Sequence, residues 1–165
     1  MIIKSKQKII TLVAGGTGGH IYPALSIANE INKSFDNPEI KFIGARGKME
    51  MNIIPKYGYK IHGLLISGLQ RSFTLKNILL PFKLIISFIQ SIIIILSFRP
   101  NFVVGTGGFA SFPIVFISSI FRILVITHKA GDKFGKILVS GLGIFIITQA
   151  FTNISVATQI IPVTG

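Results

Sequence analysis

Twice in this chain an apolar, β-branched run ends in clustered glycines and then gives way to a helix-like stretch. The first instance is "KIITLVAGGTGGHIYPAL", Lys8 to Leu25; the second is "RPNFVVGTGGFASFP", Arg99 to Pro113. Glycine offers a strand no side chain to pack, so each cluster closes the strand before it. A helix placed directly after a strand carries the chain back across a sheet, which is the connection that parallel strands require. The repetition therefore predicts an α/β fold with a Rossmann-like, doubly wound parallel sheet. In such sheets the ligand crevice lies beyond the carboxyl ends of the strands, where both glycine clusters fall.

The rest of the chain keeps alternating. Lys8 to Ala14 reads as the first strand, and Ala24 to Lys33 as a helix with Pro23 in its first turn. Leu25, Ile27, Ala28 and Ile31 form its inward face. "NPEIKFIG" predicts a turn and a second strand ending at Gly44, "GKMEMNIIPKYGY" a short helix stopped near Pro55, and "KIHGLLISG" a third strand. From Thr74 the period becomes helical: Leu75, Ile78, Leu79, Phe82, Ile85, Ile86 and Ile89 share one face. Pro81 divides that stretch into a short helix and a longer one. Beyond the second glycine loop, "RILVITH" (Arg122 to His128) reads as another strand and "IFIIT" as a sixth, which would set His128 at the same sheet edge as the glycines.

A length of 165 residues suits one α/β domain, and a half-apolar composition argues against disorder. There is no cysteine, hence no disulfide framework and no thiolate metal site. Seventeen basic residues against five acidic ones give a net charge of +12, which favours phosphates, nucleic acid or an anionic membrane surface as partners. No nucleic-acid recognition module accompanies the charge, so nucleic acid is not an expected partner. The apolar stretch in "MIIKSKQKIITLVAGG" is too short for a signal peptide. Leu84 to Phe98, bounded by Lys83 and Arg99, falls about one turn short of a membrane span and contains Ser87, Gln90, Ser91 and Ser97. It reads as a buried or interfacial helix.

A glycine loop leading into a helix brings unpaired amides and the positive end of the helix dipole close to an oxyanion. "GGTGGH" can do this, with the Thr17 hydroxyl beside it. It is not the dinucleotide fingerprint, whose third glycine would fall at Ile21, nor a Walker loop, since no Gly-Lys-Ser/Thr follows. An NADP-type module, for which Arg46 past the second strand is the one argument, is correspondingly disfavoured. The alternative for the glycines is a plain chain turn. His20 stands either as a general base at the mouth of the crevice or as a helix-start packing residue. "GTGGFASFP" is a second loop of the same kind, or a tight turn before a buried helix; His62, inside a strand, reads as structural. The apolar stripe from Leu75 to Ile89, with Arg71, Lys76 and Lys83 around it and Leu80, Leu84 and Phe88 opposite, fits docking on anionic lipid or burial in a core.

Four segments in order, "AGGTGGHIYPAL", "GKMEMNIIPKYGYKIHGLLISGLQR", "GTGGFASFP" and the terminal "VTG", resemble the N-terminal half of the MurG family. Members of that family are peripheral-membrane transferases that add N-acetylglucosamine to lipid I in bacterial peptidoglycan synthesis. The resemblance implies the N-terminal domain of a GT-B glycosyltransferase, with UDP-N-acetylglucosamine as donor, lipid I as acceptor, inversion at the anomeric carbon, and neither metal nor other cofactor. Thr17, Gly18 and Gly19 match positions that contact the donor, and His20 matches the base that deprotonates the muramyl hydroxyl. Gly16 and the loop Gly105, Thr106, Gly107 and Gly108 match positions assigned to the acceptor pyrophosphate. Leu75, Leu79 and Phe82, with Lys76 and Lys83, match the patch that docks on the anionic inner leaflet, at the cytoplasmic face of the cell inner membrane.

Two departures accompany the match. The family usually continues its strand-end His into Glu-Gln-Asn, or has Gln-Glu-Gln-Asn, whereas His128 is followed by Lys129, Ala130 and Gly131, and glycine cannot replace the donor-contacting amide. The match also stops at Gly165, before the family's donor-binding domain. Residues 1–165 are therefore expected to form a single N-terminal domain, turning over little or nothing without a C-terminal half, for which a separate chain is one candidate partner. A non-catalytic lipid-docking or scaffold remnant is the alternative.

Overall fold

The computed structural model describes residues 7–66 and 80–157. Among these, β1 (Ile9–Ala14), β2 (Glu39–Ala45), β3 (Ile61–Leu64) and β4 (Phe102–Gly107) form one sheet in the order β3-β2-β1-β4. Every pairing is parallel. Helix α1 (Gly18–Ser34) links β1 to β2, and α2 (Glu50–Ile53), running into a 3-10 turn (Ile54–Tyr57), links β2 to β3. Helix α3 (Leu80–Phe98) precedes β4, while α4 (Ser111–Lys129) and α5 (Lys133–Ala157) follow it. Successive strands step away from β1 on one side and β4 returns to its other side. The order thus reverses between β1 and β4, the position where doubly wound sheets open their ligand crevice.

β1 is buried on both faces, as an inner parallel strand must be. Ile10, Leu12 and Ala14 pack with Phe42, Ile54 and the α1 residues Ile21, Ala24, Leu25 and Ala28. Val13 faces the other way, with Ile43, Ala45, Leu64, Ala110 and Ile114. Helix α1 begins at Gly18 rather than at Pro23, taking two glycines into its first turn. Each glycine costs about 1 kcal/mol of helix propensity, but burying a side chain such as Ile21 or Leu25 gains about 1.5–3 kcal/mol. Packing wins, and the helix extends up to the glycine loop.

In α3, Leu84 and Ile94 pack on the core, and Ser87 and Ser91 lie wholly buried between them. The Ser91 hydroxyl donates to the Ser87 carbonyl (2.6 Å) and that of Ser87 to Leu84 (2.7 Å), so neither is left unpaired. The stripe of Ile85, Ile86 and Ile89 therefore faces outward, joined by Phe82, 63% exposed, and Ile93, 60% exposed.

The described chain falls into two compact units that divide within α4, one reaching Val115 and the other beginning at Phe116. The sheet, both glycine loops and α1 to α3 belong to the first. In the second, two expectations are corrected: "RILVITH" and "IFIIT" are not strands but parts of α4 and α5. An unbroken apolar run has no alternation, so its period does not separate strand from helix. Neither glycine nor proline interrupts the chain from Ile114 to Ala130, which lets α4 run for 19 residues. Helix α5 is started by Asp132, whose Oδ2 accepts the Gly135 amide at 2.8 Å. Among the described residues Ser111–Lys129, not Leu84–Phe98, is the helix long and apolar enough to cross a membrane.

Candidate functional site

At the end of β1 the chain passes through Gly15, Gly16 and Thr17 into α1. Thr17 is the N-cap residue in extended conformation, and its carbonyl accepts the amides of His20 (3.1 Å) and Ile21 (3.2 Å). Its hydroxyl makes no capping bond, and no acidic residue occupies the first turn. The leading amides of a helix have no intrahelical acceptor, so Gly18 and Gly19 present N–H groups and the positive dipole end at the crevice.

A buried carboxylate shapes this loop. Glu50 is fully enclosed; its Oε2 accepts the Gly16 amide at 3.1 Å and its Oε1 the Ala45 amide at 2.8 Å. The Gly16 N–H is thus committed inside the fold, and Gly16 holds φ at +91°, in the left-handed region. Sequence reasoning placed Glu50 in a short helix and gave it no role. The available signal was a carboxylate just after a buried strand in a chain with only five acidic residues.

The second loop meets the first through a bulge. Val13 pairs with Gly105 and Ala14 with Gly107, leaving Thr106 as the extra residue. The Thr106 hydroxyl donates to the His20 carbonyl at 2.7 Å, and the Thr106 carbonyl lies 3.0 Å from His20 Nδ1. A carbonyl oxygen only accepts, so Nδ1 carries the proton, and in the neutral ring Nε2 holds the lone pair. Gly107, at φ +115°, passes so close that a Cβ there would sit 2.5 Å from Nδ1. Ser111, at the start of α4, donates to the Gly107 carbonyl at 2.7 Å and fixes the loop from below. Half-buried His20 is therefore held between the two loops through Nδ1 and its own carbonyl. Chemically the arrangement can place backbone amides on a phosphate and a neutral imidazole on a hydroxyl.

The remaining residues singled out from the sequence lie elsewhere. His128 is exposed in the last turn of α4, in the second unit, and ends no strand. His62, exposed on β3, stacks edge-on against Phe98 at 4.7 Å. Partial burial, with the nearby Lys41 and Lys60 charges, holds its pKa below the usual 6.5. Arg46 is exposed just past β2. Phe82 and Lys83 stand in the first turn of α3, Phe82 exposed and Lys83 half-buried, while Leu75, Lys76 and Leu79 lie outside the described residues.

Both glycine loops and His20 fall within residues 10–136, which match the glycosyltransferase family 28 N-terminal domain over most of the chain. The chain belongs to that family. A relative from Flavobacterium psychrophilum, a UDP-N-acetylglucosamine--N-acetylmuramyl-(pentapeptide) pyrophosphoryl-undecaprenol N-acetylglucosamine transferase, is 51% identical to this family 28 chain over 124 residues. That match covers 75% of this chain and 34% of the relative. A relative of the same name from Christiangramia forsetii is 53% identical over 109 residues, covering 66% of this chain and 30% of its own. The family 28 chain thus spans about a third of the length of the curated relatives it matches. In the crystal structure of Acinetobacter baumannii MurG, 33% of the chain superposes on 70% of this one, with a TM-score of 0.58 and 21% identity. That likeness speaks to the fold, and it agrees with the expected GT-B type N-terminal sheet.

Proposed function

We propose that this family 28 chain supplies the acceptor-side half of an inverting glycosyltransferase that moves N-acetylglucosamine from UDP-N-acetylglucosamine to lipid I, giving lipid II. The observation that carries the reading is the tautomer imposed on His20 by the Thr106 carbonyl, 3.0 Å from Nδ1. With Nδ1–H so engaged, Nε2 takes the proton from the muramyl hydroxyl as its oxygen attacks the anomeric carbon. The new C–O bond forms on the face opposite the one that breaks, and UDP departs with the bonding electron pair. Thr17, Gly18 and Gly19 offer hydroxyl and amides to the donor. The Gly105 to Gly108 loop, with Gly16, shapes the seat for the acceptor pyrophosphate.

In this reading residues 1–165 act as one N-terminal domain, and most donor contacts come from a C-terminal domain, whether continuous with this chain or separate from it. Membrane association at the cytoplasmic face of the inner membrane is part of the proposal. Its support is the outward stripe of Phe82, Ile85, Ile86, Ile89 and Ile93 on α3, with Lys83 and Arg99 near its ends. Anionic vesicles should retain the chain, and replacing Ile89 and Ile93 by serine should release it.

A second reading, a lipid-docking scaffold without turnover, is favoured by one observation: Lys129, Ala130 and Gly131 follow His128 where the family carries a donor-contacting amide. Transfer of N-acetylglucosamine to a lipid I analogue, after joining this chain to the C-terminal part of the Flavobacterium psychrophilum relative, separates the two. Turnover supports the transferase, and its absence beside an active intact relative supports the scaffold.

A further inference from the structure

On its solvent side α1 borders an open groove of about 410 Å³ lined by Tyr22, Leu25, Ser26 and Asn29 of the helix and by Tyr57 and Tyr59. The chain has three tyrosines and no tryptophan, so every tyrosine it owns lines this groove. Tyr59 is fixed at both ends: its ring packs 5.0 Å from that of Phe42, and its hydroxyl accepts from Asn32 Nδ2 at 2.8 Å. Tyr22 and Tyr57 instead stand 55% and 56% exposed, with the Tyr22 ring lying back along the first turn of α1 beside Gly18. Among the described residues the side chains of Ser26 and Asn29 make no hydrogen bond to the protein. No charged residue lines the groove, although the chain carries a net charge of +12.

We propose that this groove is a subsite for a neutral pyranose ring, separate from the glycine loops. Aromatic rings present flat, electron-rich faces that suit the apolar C–H face of a sugar. The Asn29 carboxamide and Ser26 hydroxyl offer both donors and acceptors for ring hydroxyls at the rim. Its volume lies in the range of small-molecule sites, and a few polar groups on an aromatic wall are their usual means of orienting a ligand. The lack of lining charge sets it apart from the amide-rich loop ends, where a phosphate would be drawn.

Because the chain lacks tryptophan and all three tyrosines line the groove, its tyrosine emission reports on this groove alone. Titration of the full chain with tri-N-acetylchitotriose, followed by tyrosine emission and by tyrosine-ring NMR shifts, should give a saturable change. Tyr57→Ala and Asn29→Ala, both at exposed positions that leave the core intact, should each weaken binding by about tenfold. UDP should not compete. Absence of a saturable response in both readouts overturns the proposal, as does binding by both variants that is as tight as that of the parent chain. Competition by UDP, or a response to a prolyl peptide and not to the sugar, also overturns it.

Discussion

His20 and Thr106, 86 positions apart, are tied twice: Nδ1 of the imidazole donates to the Thr106 carbonyl at 3.0 Å, and the Thr106 hydroxyl donates to the His20 carbonyl at 2.7 Å. The first bond sets the tautomer and the second sets the backbone that carries the ring. Together they join the carboxyl ends of β1 and β4 at the point where the strand order reverses. A residue that opens a helix and a residue that bulges from an edge strand thereby become one unit.

Gly107 is what permits that approach. Gly107→Ala combines a left-handed φ of +115° with a Cβ 2.5 Å from His20 Nδ1. Such strain costs about 1–3 kcal/mol, and relief would come by displacing the imidazole. Chemical denaturation should show a loss in that range, with His20 ring resonances shifted.

Glu50 holds the first loop from inside the fold. Glu50→Ala leaves the buried Ala45 amide without its acceptor, worth about 1–3 kcal/mol, frees the part-buried Gly16 amide, and opens a void as well. Glu50→Gln keeps one acceptor oxygen for the Ala45 amide but sets a donor NH2 toward the Gly16 amide, and because it leaves no void it should lose less than Glu50→Ala. Equilibrium unfolding of the two variants checks the order.

The sheet was legible because glycine clusters punctuate the apolar runs at both β1 and β4, and side-chain period agreed with them. The helical fate of Arg122 to His128 was not, since a continuous apolar run satisfies strand and buried helix equally. The outward turn of Ile85, Ile86 and Ile89 stayed open between lipid docking and burial for a related reason. Both faces of α3 are apolar, and two small serines decide which one fits against the core. At the site, His20 and the glycines announced themselves by composition. Glu50 and the bulge at Thr106 did not, because their roles depend on strand register and on backbone amides that sequence does not display.

Thr11, in the middle of β1 and 1% exposed, has a hydroxyl with no hydrogen-bond partner among the described residues. Thr11→Val keeps the shape and removes the unpaired group, so it should stabilise the fold by about 1 kcal/mol. Thermal unfolding should move upward by roughly 2–4 °C.

His62 titrates below its usual value of 6.5 because it is partly buried and lies near Lys41 and Lys60. The unfolded chain therefore binds the proton more readily than the folded one. The contribution of His62 to stability is present above 6.5 and falls away as pH drops toward its lowered folded pKa. His62→Asn should show a smaller loss of stability between about pH 7.5 and 5.5 than the parent chain, read by denaturation at each pH.

The central claim is that Nε2 of His20 accepts the acceptor's proton. It is tested most directly by steady-state transfer of N-acetylglucosamine to a lipid I analogue, with this chain joined to the C-terminal part of the Flavobacterium psychrophilum relative. Replacing His20 by alanine should lower kcat by about 10²–10⁴-fold and leave the acceptor KM within a few-fold. A His20→Ala enzyme with undiminished kcat would contradict the account.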